Sequence, residues 1–187
     1  MKFFLLPIIM LIGATAALAQ TEPTPWASFG PEIGIPAGQA GNPYSITAGA
    51  SFKIELPVAK SPFNFMVVAG YNSFVLKGTY TGASTHDAAY LPVESGGRLY
   101  FTHIAYIEGD LGASFNISAG YAGPKVAFVY SPVVGFSTPS KDHRRSLDFG
   151  IKYEGRVEPG GTVSQVAIRV AFRVNMKKRA AITKDKS

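Results

Sequence analysis

The sequence predicts an all-β protein: an eight-stranded antiparallel up-and-down transmembrane β-barrel, preceded by a cleavable signal peptide. Three observations lead to this fold class. Apolar and polar residues alternate with a period of two through most of the chain. Charged residues make up only 16% of the 187 residues, whereas apolar residues make up 47%. After the N-terminus, no apolar run approaches the roughly 20 residues that a membrane helix needs, and membrane strands characteristically alternate in this way.

The N-terminus has the features of a secretory signal peptide, predicted over residues 1–19. A basic start at Lys2 precedes an uncharged, mostly apolar stretch, and Ala17-Leu18-Ala19 matches the small-residue cleavage motif. We expect cleavage before Gln20, followed by an extended lead-in over residues 20–25. The sequence contains no cysteine, which excludes a lipid anchor on cysteine, disulfides, and thiolate catalysis or thiolate metal sites.

The β-barrel domain is predicted over residues 26–175, and a basic C-terminal tail over residues 176–187. Clusters of Gly, Pro, Asn and Ser separate the period-two segments, and no segment has a helical period. These features divide the domain into eight predicted strands, at residues 26–35, 44–57, 62–77, 88–102, 103–118, 124–137, 145–157 and 162–175.

The alternation is clearest in the second, seventh and eighth predicted strands. Between Tyr44 and Leu56 every even position is apolar, and the odd positions hold Ser, Thr, Gly, Lys or Glu. The apolar residues fall on odd positions from Leu147 to Tyr153 and on even positions from residue 166 to residue 174. Such a pattern places one face of a strand in an apolar medium and the other face in a polar one.

The connections predict antiparallel pairing. Glu158-Pro159-Gly160-Gly161 is a tight turn, because Pro fixes the first central φ and Gly accepts a positive φ. The strands that meet at Thr102-His103 leave room only for a tight hairpin. Strands joined by such short connections are antiparallel. An even number of strands lets the last one pair with the first, which removes both edges of the sheet.

Residue types on the two faces indicate that the apolar face meets lipid and the polar face lines the interior. The polar face is rich in small residues such as Gly30, Ser51 and Gly112, which suit the narrow interior of an eight-stranded barrel. Its seven acids and six bases are nearly balanced, as a confined interior requires, because unpaired buried charge is costly. They are Glu32, Lys53, Glu55, Glu94, Arg98, Glu108, Asp110, Asp148, Lys152, Glu154, Arg156, Arg169 and Arg173.

Aromatic residues lie towards the ends of the predicted strands. Outer-membrane barrels carry aromatic girdles where the membrane meets water. The residues predicted for such girdles are Trp26, Tyr44, Phe63, Tyr90, Phe101, Phe136 and Tyr153.

Four segments resemble the small outer-membrane β-barrel domain family: residues 90–101, 105–115, 147–155 and 165–172. The resemblance covers most of the predicted barrel domain and consists of alternation patterns more than of invariant chemistry. It implies an eight-stranded outer-membrane barrel. Such barrels commonly end on an aromatic residue that the barrel assembly machinery recognises, whereas this chain continues past Phe172 and Val174 into the basic tail.

The predicted site is a network of ionisable side chains in the interior: Glu94, Arg98, Glu108, Asp110, Asp148, Lys152, Glu154, Arg169 and Arg173. Its first four members form the sharpest group, because their two strands meet at the predicted hairpin and can present them to each other. A plug of salt bridges is the favoured interpretation. A gated ion path or a proton relay is the functional alternative.

No catalytic residue, cofactor or metal site is predicted. His86, His103 and His143 lack the spacing of metal ligands, and the neighbours Asp87 and Asp142 would point away from their histidines on a strand. The sequence contains no P-loop and no nucleophile elbow. The net charge of +6 could indicate binding to nucleic acid, but much of the excess lies in the basic tail, and we expect no nucleic-acid partner.

The favoured function is therefore a non-enzymatic integral outer-membrane barrel, with a plugged interior and an interaction role through its outward loops. A soluble periplasmic barrel or sandwich that binds an apolar ligand is one alternative. A lipid-modifying barrel enzyme is another, and it would need a histidine with a serine or aspartate at the membrane rim. Expected partners are outer-membrane lipids, the barrel assembly machinery and an unknown extracellular partner, and the protein is expected to be a monomer.

Loop positions follow from the predicted topology. With both termini in the periplasm, the outward loops lie near residues 36–43, 78–87, 119–123 and 158–161. The longest, around Gly78–Asp87, is the expected contact site, because binding residues concentrate on loops that a rigid scaffold positions.

Overall fold

The computed structural model describes residues 24–78, 86–118, 123–138 and 144–176. A short 3-10 helix, Gln39–Gly41, follows the first strand. The predicted signal peptide lies outside the described residues, as does the basic tail after Met176. Within the described residues the chain forms eight strands: β1 (Trp26–Gly38), β2 (Tyr44–Pro57), β3 (Phe63–Leu76), β4 (Ala88–Tyr100), β5 (Ala105–Asn116), β6 (Val126–Thr138), β7 (Arg145–Glu158) and β8 (Gly161–Asn175).

The sheet closes on itself. Each strand pairs antiparallel with the next strand of the chain, and β8 pairs antiparallel with β1. The closing register runs from Trp26 opposite Asn175 to Gly38 opposite Val163. Closure of this kind leaves no open edge to aggregate. The predicted eight-stranded up-and-down barrel is confirmed.

The connection between β4 and β5 is longer than predicted. β4 ends at Tyr100 and β5 begins at Ala105, so the predicted hairpin forms, but four residues connect its strands and the predicted strand ends at Thr102 and His103 are wrong. The hydroxyl of Thr102 explains the difference. Its Oγ1 accepts hydrogen bonds from the backbone N–H groups of Ala105, at 2.8 Å, and of Ile104, at 3.3 Å. A side chain that satisfies backbone donors in this way stabilises a turn in place of further strand pairing.

The turn between β7 and β8 forms as predicted. Glu158 pairs with Gly161, which leaves Pro159 and Gly160 as the central residues. Gly160 has a φ of 92°, a value that glycine adopts without the steric strain of a side chain.

An irregularity at the start of β2 changes the direction of one side chain. The register between β2 and β3 shifts between Tyr44 and Ile46. Ile46 is 38% exposed on the outside, whereas Tyr44 is 4% exposed and lies inside. A bulge breaks the period of two, because one strand gains a residue relative to its partner. Strict alternation therefore assigns Tyr44 to the wrong face.

Large apolar side chains cover the outside of the barrel. One row of directly paired residues crosses seven strands, and its members are between 39% and 57% exposed. The row, called the apolar belt below, consists of Phe63, Leu99, Ile107, Val134, Ile151, Ile168 and Ile33. In the described part of the chain, no helix is long and apolar enough to cross a bilayer.

Candidate functional site

The polar face of the strands forms the interior of the barrel. All thirteen ionisable residues that the sequence assigns to that face are buried there, each at most 9% exposed. Every strand contributes its polar parity to the same narrow space, because successive side chains point to opposite faces. Closure therefore brings together charges that lie far apart in the sequence.

Arg98 on β4 is the centre of the inner half of this network, which is the half nearer the end of the barrel where β1 begins. Its Nη2 lies 2.6 Å from Glu108 Oε2, directly opposite on β5. Its Nη1 lies 3.1 Å from Glu55 Oε2 and 3.2 Å from Asp148 Oδ1. The guanidinium carbon also lies 3.7 Å from the centre of the Tyr106 ring. Arg98 thus contacts three carboxylates and one aromatic face, and is itself 1% exposed.

Asp148 on β7 links Arg98 to a second arginine. Its Oδ2 lies 3.0 Å from Nη1 of Arg169 and accepts a hydrogen bond from the hydroxyl of Tyr106 at 3.1 Å. Its Oδ1 accepts one from Ser137 Oγ at 2.6 Å. Both oxygens of this buried carboxylate are therefore satisfied, as a buried charge requires.

Lys152 on β7 joins the outer half of the network. Its Nζ lies 2.6 Å from Glu32 Oε2 and 2.8 Å from Glu154 Oε2. The other oxygen of Glu154 accepts hydrogen bonds from the side-chain amides of Asn72, at 2.7 Å, and Gln165, at 3.1 Å. Neutral amide donors here supplement the ion pair.

The group predicted on β4 and β5 is brought together only in part. Arg98 and Glu108 form an ion pair. Asp110 has Lys53 of β2 as its nearest base, at 3.9 Å, and that lysine also contacts Glu108. Glu94 accepts a hydrogen bond from a serine of β6 at 3.1 Å. Asp110 and Glu94 therefore interact across the barrel and with other strands, and their contacts do not pass through Arg98.

Besides Arg156, which lies beside Tyr90 at the outer end, three charged residues of the interior are missing from the predicted site: Glu32, Lys53 and Glu55. Glu55 is the clearest omission, since it contacts Arg98 and also lies 2.7 Å from Nη2 of Arg173. All three are on the polar parity of β1 and β2, so the alternation carried the signal. Their partners lie on strands distant in the sequence, which the sequence pattern does not pair. Uncharged members were also missed: Ser28, Ser51, Asn64, Asn72, Ser137 and Gln165.

The end of the barrel away from the N-terminus, called the outer end, is filled by aromatic rings. Phe74 packs edge-on against Tyr44 and Tyr90, with ring centroids 5.5 Å apart in both pairs. The guanidinium of Arg156 lies 4.5 Å from the centre of the Tyr90 ring. The girdle prediction is therefore wrong for Tyr44, which the bulge turns inward. It is also wrong for Tyr90, which shares the inward parity of Glu94.

Four other residues predicted for the girdles are on or near the outside. Phe63, Phe101 and Phe136 are 40–60% exposed at the inner end, where β1 begins. Tyr153 pairs with Tyr130, with ring centroids 6.0 Å apart. Trp26 instead stacks on Arg173 at the mouth of the interior, 4.2 Å from the guanidinium carbon.

The described histidines lie in exposed connections. His86 precedes β4 at the outer end, and His103 lies in the turn after β4 at the inner end. Ser146 faces the interior and is 8% exposed. His143 and Ser84 lie outside the described residues, as does most of the predicted contact loop.

Comparison with known proteins gives likenesses of structure and none of sequence. No protein-family model matches the chain, and no curated protein matches it. The crystal structure of Ail, the attachment invasion locus protein of Yersinia pestis, matches with a TM-score of 0.52 at 16% identity, over 82% of this chain and 99% of Ail.

Two further structures of Ail match in the same way. The backbone structure of this outer membrane protein in a phospholipid bilayer nanodisc matches with a TM-score of 0.55 at 14% identity, over 81% of this chain and 99% of the other. The complex of Ail with the heparin analogue sucrose octasulfate matches with a TM-score of 0.50 at 16% identity, over 82% and 99%. The resemblance to the small outer-membrane β-barrel domain family stays a prediction, and what the comparisons establish is that this chain has the fold of the outer-membrane barrel Ail.

Proposed function

We propose that this chain is an integral outer-membrane β-barrel whose interior is closed by ion pairs, and whose connections at the outer end contact partners outside the cell. The observation that carries the proposal is the inverted polarity of the barrel. Charged side chains fill the inside, and large apolar side chains cover the outside. A water-soluble protein instead buries its apolar side chains and exposes its charged ones.

The outside of the barrel suits lipid. Every residue of the apolar belt would be partly exposed to water in a soluble protein. Removal of one CH₂ group from water is favourable by about 0.8 kcal/mol, so contact with lipid would stabilise the belt. Ile33, Ile151 and Ile168 are adjacent in this belt, and each is more than half exposed. Monomeric soluble proteins rarely expose contiguous apolar surface on this scale. A bilayer satisfies the whole belt at once.

The inside of the barrel suits a closed element. An eight-stranded barrel has an interior just wide enough for side chains, and here Arg98, Tyr106 and Asp148 meet within it. The outer end is covered by the aromatic group of Tyr44, Phe74 and Tyr90. A plug is therefore favoured over a gated ion path, because each carboxylate around Arg98 is already held by a protein donor.

The outer end supplies the proposed contact surface. Its connections include the segment between β3 and β4, the longest in the barrel, and the segment between β5 and β6. Ail has been crystallised with a heparin analogue, so a barrel of this fold can hold a partner molecule. We assign the interaction role of this chain to its outer end, with the barrel as a rigid, monomeric scaffold inserted by the barrel assembly machinery.

The two alternative functions fit the described residues less well. An apolar ligand would need an apolar interior, and the interior here carries thirteen ionisable residues. A lipid-modifying enzyme would need a base beside a nucleophile at the membrane rim. His103 and Ser146 line the same cavity at the inner end, but the Ser146 hydroxyl has no hydrogen-bond partner among the described residues, so no base is seen to activate it. The proposed function is therefore structural and interactive, with no catalytic step and no cofactor.

Fractionation of a Gram-negative host tests the proposal. We expect the protein expressed from the full sequence to appear in the outer-membrane fraction, to resist extraction by carbonate or urea, and to dissolve only in detergent. A periplasmic binding protein and a porin expressed in the same cells provide the soluble and membrane controls. Recovery of the chain in the soluble periplasm without detergent would contradict the proposal.

A further inference from the structure

Among the described residues, aromatic rings cover the outer end of the barrel, whereas a cavity opens at the inner end. A cavity of about 640 Å³ lies there, within the usual range for small-molecule sites, roughly 300–1,000 Å³. On the proposed function this end faces the periplasm. We call the cavity the inner vestibule, and the residues that matter to it are Trp26, Glu55, Tyr100, Phe101, Ser146 and Arg173.

Two hydrogen-bond donors of the vestibule are unused. Nε of Arg173 and Oγ of Ser146 are buried and have no hydrogen-bond partner among the described residues. Arg173 and Ser146 are directly opposite each other on β8 and β7 and point into the same space, at 9% and 8% exposure. Directly opposed residues have Cβ atoms about 4.5–5.5 Å apart, so one small group can reach both donors.

The charges around this pair favour an anion. Glu55 contacts Arg98 through one oxygen and Arg173 through the other. Arg98 has further carboxylate partners. Arg173, in contrast, has Glu55 as its ion-pair partner among the described residues. Glu55 must also accept a hydrogen bond from Tyr100 at 3.3 Å. Arg173 therefore shares this carboxylate with Arg98 and Tyr100, and it lines the vestibule.

One wall of the vestibule is apolar. The indole of Trp26 covers one face of the Arg173 guanidinium, at 4.2 Å, and Phe101 lines the cavity. Pro57 and Pro62 line it as well. A ligand that fits this mixture has an anionic end and an apolar body, as sites with a few placed polar groups in an apolar lining generally require.

We propose that the inner vestibule binds a small organic carboxylate with an aromatic or other apolar body. The two carboxylate oxygens accept hydrogen bonds from Nε–H of Arg173 and Oγ–H of Ser146. The body lies against Trp26 and Phe101. The orientation towards the periplasm depends on the proposed function, whereas the chemistry of the site does not.

Trp26 makes the site directly observable, because it is the single tryptophan of the sequence. The barrel, purified and folded in detergent micelles, is titrated with phenylacetate while Trp26 fluorescence and the heat of binding are recorded. We expect saturable binding with a change in fluorescence. Phenylacetamide, which has the same body without the charge, is expected to bind at least about tenfold more weakly. Equal binding of both probes, or no binding of phenylacetate, would overturn the proposal.

Further probes separate the sources of the carboxylate. N-acetylphenylalanine represents the C-terminus of a peptide, and tighter binding than phenylacetate would assign the site to peptide ends. Tighter binding of phenylacetate would assign it to free acids, and both results support a carboxylate site. Inorganic phosphate tests the anion by itself. If phosphate binds as tightly as phenylacetate, with the same fluorescence change, the apolar body has no role and the proposal fails.

Variants locate the ligand. Arg173→Gln is expected to weaken phenylacetate binding by about tenfold or more, and Ser146→Ala by about three- to tenfold. Thr47→Val is the matched control, since within the described ranges Thr47 also has a buried hydroxyl without a hydrogen-bond partner but lies near the outer end, on β2. It should bind like the unmodified protein. Unchanged binding in Ser146→Ala would contradict the site even if Arg173→Gln failed to fold.

The result is independent of the fractionation experiment. A barrel that is found in the outer membrane but does not bind phenylacetate refutes the vestibule site and leaves the proposed function intact. A barrel that binds phenylacetate but is recovered in the soluble periplasm refutes the proposed function and keeps the site.

Discussion

Arg98 shows how single buried charges depend on their neighbours. It is 1% exposed and contacts Glu55, Glu108 and Asp148. Transfer of such a group from water to a confined interior is offset only if its partners remain in place. Removal of the arginine would leave three buried carboxylates close together, with their mutual repulsion uncompensated. The loss of stability would therefore come mainly from the repulsion among the carboxylates that remain.

We expect Arg98→Met to lower the free energy of unfolding by about 3–5 kcal/mol, because methionine keeps the apolar stem and removes the charge. Urea titration of the barrel in phospholipid vesicles measures the change. Arg145→Met is the control, because Arg145 is exposed at the start of β7 and an exposed pair contributes at most about 1 kcal/mol. Equal effects of the two substitutions would show that the ion pairs of Arg98 do not stabilise the barrel.

Two glycines on β5 form a matched pair. A Cβ at Gly112 would clash with the backbone carbonyl of Val93 and lie 2.6 Å from Cα of Glu94, whereas a Cβ at Gly109 would meet no atom within 4 Å. We expect Gly112→Ala to destabilise the barrel by about 1–3 kcal/mol. Gly109→Ala should be neutral or stabilising by up to about 1 kcal/mol. Thermal unfolding in the same detergent compares them, and the reverse order would be inconsistent with the close approach of β4 and β5.

At the scale of the strand, the prolines show what a barrel tolerates. Pro31, Pro92 and Pro132 lie inside β1, β4 and β6. Each keeps its pairing with one neighbouring strand, while the pairing with the other neighbour is interrupted next to it. Proline lacks the N–H that a second ladder needs. The strands continue through these positions because the barrel holds them by the ladder on the other side.

The outer face of β8 gives a test of the lipid contact. Ile168 lies at the middle of this strand, between Ile33 and Ile151, and is 55% exposed. A charged residue on the lipid face at the bilayer midplane is unfavourable by about 2–4 kcal/mol. We expect Ile168→Arg to lower the free energy of unfolding by that amount. The yield of folded barrel in vesicles should fall as well.

Val58→Arg is the control for this prediction. Val58 is 41% exposed in the connection after β2 at the inner end, where water or headgroups solvate a charge. The substitution should leave the folding yield within error of the unmodified barrel. Equal yields for Ile168→Arg and the unmodified barrel would mean that the apolar belt does not contact lipid.

At the scale of the whole molecule, the two ends of the barrel are different. Aromatic rings close the outer end around Phe74, ion pairs around Arg98 and Lys152 fill the middle, and the inner vestibule is open. This order places the cavity at the inner end of the barrel. A continuous water path would have to displace both the ring group and the ion pairs.

We therefore expect purified barrel in a planar lipid bilayer to show no stable channel steps. A porin inserted under the same conditions provides the positive control. Arg98→Ala tests the cause, because it removes the largest side chain of the central network and should raise the frequency of conducting events if the barrel still folds. Reproducible ohmic conductance from the unmodified protein would refute the plug and make the region of Arg98 and Glu108 the first place to look for a pore lining.

The fold and the two faces of most strands follow from the sequence alone. A period of two defines which side chains share a face, and the residue types then define which face avoids water, as for Val166 to Val174 on β8. The same parity placed all thirteen ionisable residues inside. Short turns with a local cause, such as Pro159-Gly160, were equally predictable, because their determinants lie within four residues.

The tertiary structure decided which charges meet. Glu55 contacts Arg98 and Arg173, and Lys53 contacts Glu108. None of these three pairs joins neighbouring strands. Alternation carries no information on the stagger between strands or on distances across the interior. It also fails where the backbone leaves its period, as at Tyr44. Pairing across the closed barrel is set by register and closure, and both depend on the whole sheet.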